Sequence, residues 1–175
     1  NRAGEGSLWL IDSTVEGIGG DNVARSTGVF NQGTMYIRGG NIRAGKARNS
    51  DAWTSFELRA IGIHNEGQLD VAQTVINAGS SGVGGGASYS FALYNAAPGQ
   101  ATVAHSILYG GLARLQSSAV TNQGGTLLLV GNILSGRMSY EASAGAASLA
   151  GVSALRIITG GAAGMVRLLN NNLYN

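Results

Sequence analysis

Nine carboxylates and two histidines are the side chains of this 175-residue sequence best suited to move a proton near neutral pH, and no cysteine accompanies them. Glycoside hydrolysis needs two carboxyl groups about 5 to 10 Å apart. Asp51, Glu57, Glu66 and Asp70 lie close enough in sequence for a fold to gather them, and such a cluster would mark an enzyme. Ser, His and Asp are all present, but no nucleophile-elbow motif brings them together, so no catalytic residue is assigned. His64 and His105 lack a further histidine or acid at ligand spacing and read as corner residues, so neither metal nor cofactor is expected. The glycine run 79 to 86 lacks the Lys-Ser/Thr ending of a phosphate loop and reads as a flexible connection.

Composition narrows the classes further. Charged residues make up 11% of the chain, against roughly 25% in ordinary soluble domains. The net charge of +2 comes from scattered residues, which leaves no footprint for nucleic acid. Glycine and serine break every apolar run well short of the roughly 18 residues that a membrane helix requires, so membrane insertion is not expected. The absence of cysteine excludes disulfides and thiolate metal sites. A start at Asn1, without Met or an apolar leader, suggests a processed product or an excised fragment.

What positions these residues is a repeat. Six stretches share the pattern apolar-x-apolar, then a later apolar residue: "LWLIDSTV" from 8, "MYIRGGNI" from 35, "LDVAQTVI" from 69, "ATVAHSIL" from 101, "LLLVGNIL" from 127 and "VRLLNNNL" from 166. Alternation at a spacing of two is the signature of a strand with one buried face. Two positions before the last apolar column stands a small polar residue: Ser13, Thr74, Ser106, Asn132 and Asn171. Gly40 is the exception, and a local slip of register would let Asn41 take that place. Upstream strands in four units end on Asn31, Asn65, Asn95 and Asn122, each followed by glycine at a corner. Together these polar residues are expected to form hydrogen-bonded ladders.

Short strands, sharp corners and like residues recurring in columns predict an all-β parallel β-helix of about six coils, with an antiparallel sandwich as the competing fold. The whole chain, 1–175, reads as one domain, part of a longer chain or assembly, with variable loops at 46–60, 80–91, 111–118 and 137–164 leaving one side. A short helix is expected within "SYEASAGAASLAGVSALRII", 139–158, where Ala, Leu and Glu favour it.

At "GIHNEGQLDVAQTVINAG" (62 to 79) and "AVTNQGGTLLLVGNILSG" (119 to 136) the sequence resembles the right-handed parallel β-helix repeat proteins, a pectate-lyase-like superfamily. The resemblance implies the right-handed helix and spans polysaccharide lyases, hydrolases, tailspikes, adhesins and autotransporter passengers. The outward columns hold one acid each, so the leading expectation is a non-catalytic structural or adhesive segment of a bacterial surface or secreted protein. A carbohydrate-active enzyme or tailspike fragment is the alternative, and a filament subunit stacking through uncapped end coils is a third. Trp9 above Tyr36 is the candidate platform for a polysaccharide or cell-surface glycan. Asp12 beside Arg38 and Glu16 beside Arg43 suggest cross-coil ion pairs. Val75, Ile107 and Ile133 form an outward apolar stripe, to be covered by the loops or by a neighbouring subunit.

Overall fold

The computed structural model describes residues 1–4, 6–48, 57–82, 87–113, 115–136, 151–158 and 164–174. Successive passes of the chain stack short strands into four sheets, with six strands each in two of them, three in another and five in the last among the described residues. Sheet A holds Leu8–Ile11, Thr34–Arg38, Gln68–Ala72, Gln100–Ala104, Thr126–Val130 and Val166–Leu169. Sheet B holds Thr14–Glu16, Asn41–Arg43, Val75–Asn77, Ile107–Tyr109, Ile133–Ser135 and Asn172–Tyr174. A short sheet C comprises Gly20–Asp21, Lys46–Arg48 and Ser80–Ser81. Sheet D comprises Arg25–Asn31, Leu58–Asn65, Ser88–Ala96, Gln116–Gln123 and Gly151–Ile158. No helix occurs among the described residues.

Neighbouring strands within each sheet pair in parallel, which rules out the antiparallel sandwich and is compatible with a β-solenoid. The apolar columns stack residue on residue: Met35 on Leu69, Leu69 on Ala101, and Ile76 on Leu108. Sheet A supplies Ile37, Val71, Val103 and Leu129 to the interior, sheet B supplies Ile42, Ile76, Leu108 and Leu134, and sheet D supplies Ile63, Leu93 and Val120; all are buried in one cluster. Burying a side chain of this size contributes about 1.5–3 kcal/mol, so the aliphatic columns hold the passes together.

The corner between sheets A and B has a feature absent from the sequence reading. Asp12, Gly39, Gln73, His105, Gly131 and Asn170 all have positive φ, between 46° and 69°, and form a column of left-handed residues. Gly40 follows Gly39 with φ of 81°. A Cβ on Gly40 would lie 2.1 Å from the Ser13 carbonyl oxygen, so no side chain fits this position. Asn41 does not replace it: register is kept, with Asn41 on Thr14 and Val75, and its side chain faces solvent.

The segments expected as loops are shorter than their assigned limits. Residues 46–48 and 80–81 belong to sheet C, and 58–60, 88–91, 116–118 and 151–158 belong to sheet D. Gly151–Ile158 is a strand paired with Gln116–Gln123, where a helix was expected; residues 139–150 of that expectation lie outside the described residues. Sheet D strands begin with residues such as Ser88, Ser90, Gln116 and Ser117, which are buried and hide the alternation that marks a strand.

Candidate functional site

The Asn column at the corner between sheets D and A is a continuous chain of side-chain amides. Asn31 Nδ2 donates to Asn65 Oδ1 at 2.8 Å, Asn65 Nδ2 to Asn95 Oδ1 at 2.8 Å, and Asn95 Nδ2 to Asn122 Oδ1 at 2.7 Å. Asn1, which the repeat alignment missed, joins it by donating to Asn31 Oδ1 at 3.0 Å. The column ends where Asn122 donates to the Gly125 carbonyl instead, because Ile157 stands in the next place. The second polar column works differently. Backbone N–H groups of Thr74, Ser106 and Asn132 donate to the side-chain oxygens of Ser106, Asn132 and Asn171 in the following pass. Side-chain oxygens stand in for carbonyls where the left-handed corner turns the backbone away. The hydroxyls of Ser13, Thr74 and Ser106 each donate to the carbonyl two residues back, on Ile11, Ala72 and Ala104.

The described carboxylates other than Asp12 are tied to basic or amide groups. Asp70 accepts two hydrogen bonds from Arg38, at 3.0 and 3.1 Å, and these raise the guanidinium pKa above its ordinary value. Arg38 thus turns to the following pass rather than to Asp12, whose backbone bends through the left-handed corner. Glu16 meets Arg43 at 2.7 Å, as expected from the columns. Glu57 pairs with Arg59, and Asp21 with Arg48. Glu66 accepts from Gln32 and lies beside His64, so the acids considered for an enzymatic cluster are separately engaged; Asp51 lies outside the described residues.

His64 is a strand residue rather than a corner residue, while His105 does occupy a corner. The ring of His64 sits edge-on between Phe30 and Tyr94, with centroids 5.0 and 5.1 Å away. Arg25 donates to Nδ1, and Nε2 lies 3.1 Å from Glu66 Oε1 without hydrogen-bond geometry. Burial, and secondarily the Arg25 charge, push the pKa of His64 below 6.5 against the opposing pull of Glu66. Among the described residues no group of three metal-ligating side chains occurs.

Trp9 and Tyr36 are register partners on the outer face of sheet A, stacked at 4.2 Å with planes 17° apart. That separation is close to the strand spacing of about 4.8 Å, so the ring normals run along the stacking direction. One face of Tyr36 is covered by Trp9; the other looks toward Asp70. There a groove of about 540 Å³ opens, lined on one side by Tyr36, Asp70, Thr102, Leu128 and Arg167 and on the other by Thr34, Gln68, Gln100, Thr126 and Met165. Gln68 and Gln100 are exposed along its rim. This polar row, one step before the first apolar column, was open to reading from the same alignment but was not singled out. A second hollow, of about 480 Å³, lies where Gly45, Gly79 and Gly111 bring successive passes into backbone contact.

Val75, Ile107 and Ile133 stack in register on the outer face of sheet B. Val75 and Ile107 are half-buried, whereas Ile133 remains 39% exposed, so the stripe is only partly covered. No protein-family model, curated protein or solved structure matches the chain.

Proposed function

We propose that the chain is a segment of a right-handed parallel β-helix of six coils, of the pectate-lyase-like kind, acting outside the cell as a non-catalytic structural and adhesive element. Its partner is a polysaccharide or cell-surface glycan held on the outer face of sheet A. The observation that carries this reading is the groove that crosses five passes from Tyr36 to Arg167. Aromatic faces take the apolar side of a sugar ring, and amides, hydroxyls and a carboxylate take its hydroxyls. The engagement of Asp70, Glu57 and Glu66 with basic or amide partners favours binding over hydrolysis.

The test incubates the chain with immobilised plant, algal and bacterial polysaccharides and assays both retention and released sugar. Retention that is lost in Tyr36→Ala, with no product in the supernatant, is the expected result. Retention unchanged in that variant would remove the groove from the account, and released oligosaccharide would favour an enzyme.

A further inference from the structure

We infer that the groove on sheet A recognises the terminal sugar of a glycan rather than the interior of a long chain. This rests on the glycan reading above and adds how the ligand lies. Three observations lead to it. The first is the size profile of the outward column, which reads Trp9, Tyr36, Asp70, Thr102, Leu128, Arg167 in successive passes. Two large rings give way to two small side chains, so the groove has a step at Tyr36. The pass that carries Trp9 contributes nothing to its lining.

The second is the orientation of that step. Because the rings stack along the direction in which the passes repeat, Tyr36 presents a face to the groove, not an edge. Trp9 supports it from behind, so the wall does not yield to a ligand that pushes along the groove. An interior sugar must leave room for glycosidic bonds at both ends, and a flat wall normal to the groove blocks one of them. A terminal sugar needs only one exit, along the groove toward Thr102.

The third is what stands beside the wall. Asp70 is fixed by its two bonds to Arg38, and each carboxylate oxygen keeps a lone pair for a sugar hydroxyl. Gln68, exposed, lines the opposite rim of the same pass. Aromatic face, fixed acceptor and amide therefore converge on the first sugar position, while the later positions offer Gln100, Thr102 and Thr126. Specificity is concentrated at the end residue.

The probe is an array of oligosaccharides attached through their reducing ends, grouped into families that share an internal repeat but differ in the terminal sugar, with long dextran, galactan, xylan and alginate alongside. Binding is expected to follow the terminal sugar across families and to be no tighter per chain for the long polymers. Tyr36→Ala and Asp70→Asn are each expected to weaken it by about tenfold or more, while Tyr36→Phe retains it, which separates loss of the wall from loss of the fold. Binding that grows with chain length regardless of the terminal sugar would overturn end recognition and leave glycan binding standing. Absence of binding to every glycan and polymer on the array, by a chain shown to be folded, would overturn both.

Discussion

Asn65 shows what single residues contribute to this molecule. It is fully buried, accepts from Asn31, and donates to Asn95 Oδ1 and the Gly67 carbonyl. Alanine at this position would leave buried donors and acceptors on both neighbouring passes without partners, at about 1–3 kcal/mol for each such group. Asn65→Ala should therefore lower stability by roughly 3 kcal/mol in chemical denaturation, and Asn65→Asp should do no better, since a carboxylate cannot donate to Asn95. His64 governs a different response. Its folded-state pKa lies below 6.5, so between that value and 6.5 the unfolded chain binds more protons than the folded one. Stability contributed by the neutral ring is present above about pH 6.5 and is lost as the pH falls toward the folded pKa. Arg25 and Arg59 oppose the protonated ring and Glu66 favours it, with Phe30 and Tyr94 closing the sides. Thermal melts across this range should show a slope that His64→Phe flattens; an unchanged slope in the variant would place the titration elsewhere.

At the scale of elements, the strands of sheets A and B were legible because their alternation is aliphatic and unbroken, as in "LDVAQTVI" and "ATVAHSIL". The same residues form the column that stacks Ile76 on Leu108, and the recurring Asn that closes the upstream strands marked the column that stacks Asn65 on Asn95. Sheet D was only half legible. Its strands carry buried serine and glutamine in their first halves, and polar residues that are satisfied by backbone carbonyls of their own pass look in sequence like loop. The left-handed corner was invisible, because Asp, Gly, Gln, His, Gly and Asn share a backbone conformation but no chemistry. Likewise the step at Tyr36 was missed, since two aromatics at equivalent positions tell of a stacked pair and not of which face stays open. The corner yields a sharp prediction at Gly40. A methyl there must enter a left-handed residue and meet the Ser13 carbonyl, so Gly40→Ala should destabilise by about 3 kcal/mol or more. Asn41→Ala, on an exposed side chain, should change stability by less than about 0.5 kcal/mol, and the reverse order of effects in denaturant titrations would restore the register slip.

For the whole molecule, stacking makes each pass a neighbour only of the passes before and after it, so stability is a sum of pass and interface contributions. Register then says which cuts the chain can survive. Gln68 lies on Gln100, and Leu69 on Ala101, so removing residues 68–99 joins Gly67 to Gln100 at an equivalent place. Asn65 keeps its two-residue corner, Gln100 takes the place of Gln68 over Thr34, and Leu58–Asn65 comes to rest on Gln116–Gln123, so every inward column stays inward. Removing residues 68–100 instead starts the strand at Ala101. The corner has no slack, and a shift of one residue turns Ala101 and Val103 outward. The first deletion should unfold in one transition with the denaturant slope reduced by roughly a sixth, and the second should lose the cooperative transition altogether. Two deletions that differ by one residue thus measure register alone, because they remove nearly the same apolar area; equal behaviour would mean that the passes are held by composition and not by their columns.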